Sequence, residues 1–136
     1  MSRLNTEDFQ DLAEFRHLLR KFLRFSKDFL RKSAGLNPEQ YEALLAIKAF
    51  EGKHAAIISE LSERLQVKHH SAVNIVDRLV EKKLVTRSAG EADRRRRHLS
   101  LTAKGSQLIE NLASVHRKEI RGRSGDMIQA LEKLKK

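Results

Sequence analysis

The sequence predicts a mainly helical domain that carries one small β-hairpin. Two observations predict it. Apolar residues recur at steps of three and four over most of the 136 residues, the period of an amphipathic helix. Over residues 84–101 that period gives way to alternation, the period of a strand. A chain of this length fits one domain, and 1–136 is read as one.

Residues 7–33 form the first long helix, with Phe9, Leu12, Phe15, Leu19, Phe22, Phe25 and Phe29 along it. A small domain does not easily cover so long an aromatic stripe. It is assigned partly to the core and partly to a face that meets a second copy. Gly35 to Pro38 is a break. Asn37 suits an N-cap, Pro38 suits the first helical position, and Gln40 can close a capping box with Asn37. A helix over 38–51 follows, with Tyr41, Leu44, Leu45 and Ile47 inward and Gly52 at its end.

Residues 54–56 suit a short extended piece. Ile58, Leu61 and Leu65 share one face of a two-turn helix that ends near Gln66, and Glu60 and Glu63 lie on its polar face. Val67 and Lys68 make the turn. A helix from His69 to about Lys83 comes next, with Ala72, Ile75, Val76 and Leu79 inward. This is a helix-turn-helix pattern. Residues 84–88 read as a strand, 89–94 as a loop and 96–101 as the return strand. Leu99 and Leu101 form the hairpin's apolar face, with the stem of Arg97 beside them, and Arg96, His98 and Ser100 point the other way. Thr102 caps a long helix to about Glu119. Gly122 and Gly125 read as a break, and Met127, Ile128, Leu131 and Leu134 as the stripe of a last helix. The whole is a winged helix-turn-helix over about 36–102, between long flanking helices at about 7–33 and 103–136.

The net charge is +10, with a sequence pI near 10.2. Such a chain attracts phosphate-rich partners. An anionic membrane surface competes for that role, although no apolar run reaches the roughly 18–20 residues of a spanning helix. The polar, acidic N-terminus (Glu7, Asp8, Asp11, Glu14) predicts no signal peptide and a cytoplasmic location. The absence of cysteine excludes disulfides and thiolate chemistry. No phosphate-cradling loop, nucleophile motif or paired-carboxylate signature stands out, so neither an enzyme nor a cofactor is predicted. His69 and His70 are adjacent and point about 100° apart on a helix, which suits no shared ion. His17, His54, His98 and His116 show no ligand spacing, and no metal site is predicted.

A recognition helix reads DNA with side chains near its N-terminus. The outward candidates here are Lys68, His69, His70, Ser71, Val73 and Asn74. Asn74 suits adenine, Ser71 several bases, and Val73 a thymine methyl. Arg78, further along, suits a phosphate. The run Asp93-Arg94-Arg95, followed by Leu99-Ser100-Leu101-Thr102 and Gly105, resembles the wing of the MarR family of bacterial transcription regulators. Val73 to Leu79 resembles that family's recognition helix. The chain departs from the pattern at Gly90-Glu91, where the family often has Asp-Pro. It departs at Lys68, where Ser or Thr is common, and at Lys83, where Gly is common. Lys83 must take positive φ or the helix must end differently.

The resemblance implies a homodimer built from the first helix and the last two, through Leu12, Phe15, Leu19, Leu112, Met127, Leu131 and Leu134. It implies binding of a pseudo-palindromic operator in double-stranded DNA, usually as a repressor. In the wing it makes Arg95 the residue laid into the minor groove, with Asp93 orienting the loop and Arg94 on a phosphate. It also implies release by a small aromatic or phenolic ligand, for which Phe22, Phe25 and Tyr41 are the candidate lining; the competing reading makes them ordinary core. Arg94 to Arg97 are therefore not expected to be equivalent. Two other readings stay open: a winged-helix module that joins proteins without reading DNA, and a membrane-surface binder that uses the last helix.

Overall fold

Asn5 and Asn37 start the first two helices in the same way. In α1 (Thr6–Ala34) the Asn5 side chain accepts from the Asp8 N–H, and the Asp8 carboxylate accepts from the Asn5 N–H, both at 2.9 Å. In α2 (Pro38–Phe50) Asn37 and Gln40 exchange the same two bonds at 2.8 and 3.0 Å. Each reciprocal cap satisfies donors that a helix start leaves open. The computed structural model, which describes residues 3–89 and 97–136, continues with α3 (Ile58–Leu65), α4 (His69–Glu81), β1 (Val85–Ala89), β2 (Arg97–Leu101) and α5 (Ala103–Leu134). No helix among the described residues is long and apolar enough to cross a membrane.

The two strands pair antiparallel, with Val85 opposite Leu101 and Arg87 opposite Leu99. Ala56 adds a bridge on the far side of Leu99, whose N–H donates to the Ala56 carbonyl at 2.8 Å. The core gathers one or two side chains from every element: Leu30, Leu44, Ile47, Leu61, Val76, Leu79, Val85, Leu99 and Ile109. Burying each such side chain contributes about 1.5–3 kcal/mol. α1 lies along α5, and α2 bridges that pair to α3, α4 and β2.

Three expectations are corrected. Leu45 is 40% exposed at the rim of a groove against α5, while Ala43 is fully buried. The inward face of α2 is narrower than its run of apolar residues suggests. Gly122 and Gly125 do not break the chain, because α5 is one continuous helix through both. Glycine costs only about 1 kcal/mol in a helix interior. Here the Glu119–Arg123 pair at 3.0 Å, the Arg123 guanidinium over the Phe25 ring and the burial of Ala130 span the weak turns. Leu112 is 3% exposed and belongs to the core, not to a face offered to a second copy. The expectations for Asp93, Arg94, Arg95 and Arg96, and for the side chain of Arg97, lie outside the described residues.

The end of α4 and the start of α5 are locked together. α4 stops at Glu81, and Lys83 takes a left-handed φ of 63°. Its N–H donates to the Val80 carbonyl at 2.9 Å, and the Leu84 N–H donates to the Leu79 carbonyl at 3.0 Å. Thr102 then meets this turn three ways. Its N–H donates to the Leu84 carbonyl at 3.0 Å, its hydroxyl donates to the Lys83 carbonyl at 2.7 Å, and the hydroxyl oxygen accepts from the Gly105 N–H at 2.9 Å. Gly105 is buried directly against Leu84, and a Cβ there would overlap the Leu84 carbonyl.

Gly105→Ala should therefore lower unfolding stability by about 1–3 kcal/mol, since the clash is with backbone. A shift of the urea midpoint at unchanged slope measures this. Lys83→Gly should act in the opposite sense. It relieves a left-handed residue with a side chain and should raise stability by about 0.5–1 kcal/mol after the entropy of the unfolded glycine is counted. The same denaturation series reads it.

Candidate nucleic-acid interface

α3 and α4 are joined by a turn that is fixed from both sides. Gln66 takes φ 54° and closes α3 by donating from its N–H to Glu63 at 3.2 Å. The Ser62 hydroxyl donates to the Val67 carbonyl at 2.8 Å, and the Val67 N–H donates back to the Ser62 carbonyl at 3.1 Å. At its other end α3 starts at Ile57, whose side chain has no acceptor to offer. Glu60 supplies the cap, with Oε1 taking the Ile57 N–H at 3.2 Å and Oε2 lying 3.4 Å from His54 Nε2.

The turn presents α4 with its first residues outward. Ala72, Val76 and Leu79 are fully buried and fix the helix on the core. Lys68, His69, His70 and Asn74 are exposed, and Ser71 and Val73 are half-buried beside them. Lys68 makes no side-chain cap, and the first turn holds no acid. The positive end of the helix dipole thus faces outward with three basic or ionisable residues around it. Arg78 is exposed two turns later and lies 3.4 Å from Glu81. Such an exposed pair holds little energy and leaves the guanidinium open to a stronger anion.

One acid in α4 has a structural use that sequence reasoning missed. Asp77 pairs with Arg87 of β1. Arg87 shares its strand face with Val85, so alternation turns it toward the helices. The pair ties the recognition helix to the root of the hairpin. Two signals in the sequence point to it: an acid next to the inward Val76 of the helix, and an arginine on the inward phase of a strand.

The remaining site residues fall into two groups. Leu12 and Leu131 are exposed, and Phe15, Leu19, Met127 and Leu134 are half-buried. Phe22, Phe25 and Tyr41 come together, yet around the ring of His116 and with Phe29. Burial raises the Tyr41 phenol above its ordinary value, and the neighbouring Glu42 charge adds to this, so the hydroxyl stays neutral. No group of three or more His, Cys, Asp and Glu among the described residues is placed to hold a metal ion.

Known proteins resemble this arrangement. The MarR family model matches residues 34–96, from the end of α1 into the wing. The HTH-type transcriptional repressor MdtR of Bacillus subtilis (strain 168) is 36% identical over 79 residues, covering 57% of this chain and 48% of MdtR. The transcriptional repressor MprA of Escherichia coli (strain K12) is 30% identical over 96 residues, covering 71% of this chain and 53% of MprA. The chain thus spans about half the length of these relatives. The crystal structure of AbsC, a MarR family transcriptional regulator from Streptomyces coelicolor, superposes with a TM-score of 0.79 at 21% identity over 93% of this chain and 84% of AbsC. The matched segment carries the helix-turn-helix and the first strand of the hairpin, and over it the chain is similar to the MarR family.

Proposed function

We propose that this chain is a DNA-binding transcriptional regulator that acts as a homodimer, most simply a repressor, on a pseudo-palindromic operator. The observation that carries the reading is the acid-free first turn of α4, held outward by a buried opposite face. In that pose Lys68 and His69 reach phosphates or guanine acceptors, and Asn74 pairs with adenine. Arg94 and Arg95 extend the contact into the neighbouring groove from the wing, with Asp93 as their restraint. Residues 36–102 form the DNA-reading lobe, and 7–33 with 103–136 form the dimerisation helices. The relatives described as repressors support the same reading, and it includes no catalytic step.

Unpartnered apolar surface supports the second copy. Ile120 (48%), Ile128 (54%) and Leu131 (47%) share one exposed face of α5, and Leu4 (56%), Phe9 (58%) and Leu12 (44%) are exposed at the start of α1. The early turns of α1 lie beside the late turns of α5. The two sets therefore form apolar surface at one end of the molecule, of the kind a dimer covers.

Two outcomes follow for binding. Affinity for duplex DNA should fall steeply and linearly on a log–log plot against salt, with a slope near −0.9 for each phosphate neutralised. A flat salt dependence, measured by fluorescence anisotropy, would favour a protein-joining module. Arg95→Ala should weaken operator binding by about 1–3 kcal/mol. Equal affinity of variant and wild type at matched salt would remove the wing from the account.

A further inference from the structure

We infer that Ser26, His116 and Tyr41 form the joint that sets the angle between the long-helix frame (α1 and α5) and the DNA-reading lobe. Ser26 is 6% exposed and His116 4% exposed, and they are the buried polar residues among those described. Their side chains meet at 2.8 Å, Ser26 Oγ to His116 Nε2, across 90 residues of sequence. His116 Nδ1 lies 2.8 Å from the Leu112 carbonyl, which only accepts, so Nδ1 donates. In the neutral ring Nε2 must then accept, and the Ser26 hydroxyl donates to it. Both ring nitrogens are satisfied.

The ring is also held on its faces and edges. Tyr41 of α2 stacks on it at 4.3 Å between centroids, with 18° between planes. Phe29, Phe25 and Phe22 of α1 meet it edge-on at 5.6, 6.1 and 6.3 Å. One imidazole therefore contacts α1 and α2 at once while it belongs to α5. α2 in turn packs on α3, α4 and β2, so the seat of α2 decides the tilt of the lobe. An apolar side chain at 116 would fill the volume equally well. Apolar packing tolerates sliding, whereas the two hydrogen bonds, both within the α1–α5 frame, fix the plane of the ring, and the Tyr41 stack carries that orientation to α2. The consequence for function rests on the DNA reading above. In a two-fold dimer the tilt of each lobe sets the distance between recognition helices, and half-sites lie about 34–36 Å apart.

Two measurements on the full chain test the joint. The chain has no cysteine, so spin labels go only where they are placed. With Glu63→Cys on α3 and Glu132→Cys on α5, electron–electron resonance reads the lobe-to-frame distance in label-diluted protein. Ser26→Ala should keep the fold and broaden that distribution. In a panel of duplexes that differ only in half-site spacing, it should lower the affinity ratio of best to next-best spacing by about fivefold, the scale of one hydrogen bond. The base preference within a half-site should not move. His116→Gln serves as the second variant and should act in the same direction. Leu108→Ala, which loses packing elsewhere on α5, is the control for mere destabilisation. Unchanged distances in both joint variants would overturn the inference, as would equal broadening in the control. A spacing preference that survives in both variants would do the same. Failure of the wild type to bind any duplex would instead remove the DNA reading, and the label distances would still decide the joint.

Discussion

The approach of α5 to the turn after α4 is the constraint on which the rest depends. Gly105 lies against the Leu84 carbonyl, and Thr102 bonds to the carbonyls of Lys83 and Leu84. At this one place the recognition helix ends, β1 leaves, β2 returns and the long helix begins. A shift there would move the recognition helix and the wing together. Lys83 accepts a left-handed backbone at the same point. That strain, on the order of 1–2 kcal/mol, persists because the surrounding bonds over-determine the turn.

Charge on the molecule is divided by use. The net charge of +10 would suit any polyanion. The arrangement is more selective. Arg87 is half-buried and neutralised by Asp77, which makes it a strut between helix and hairpin. Glu60 serves as a helix cap. The first turn of α4 holds no acid, so the positive end of the helix dipole coincides there with Lys68, His69 and His70. Placement, more than the total, separates a groove reader from a sticky surface.

Much of the fold was legible because local rules governed it. The Asn37–Gln40 cap, the two-turn helix to Leu65 and the alternation through Leu99 and Leu101 each follow from neighbours in sequence. The dilemma at Lys83 was legible too, and positive φ resolves it. The glycines near 122 misled because their cost is smaller than what packing and an i,i+4 ion pair supply along α5. Leu112 and Leu45 misled because periodicity finds an apolar face without saying what covers it. The phenylalanines read as a stripe, yet what organises three of them is His116, whose bond to Ser26 spans 90 residues and leaves no periodic trace. On α4, the exposure of Lys68, His69, His70 and Asn74 was legible from the turn alone. The Asp77–Arg87 strut needed two elements to be brought together first.

The central claim is that a two-fold pair of these lobes reads DNA through α4. Selection of bound sequences from a random duplex pool tests it most directly. The expected result is enrichment of a pseudo-palindrome whose half-sites lie about one helical turn apart, since protein symmetry sets operator symmetry. A pool that stays random, or one that yields a single unpaired half-site, would contradict it.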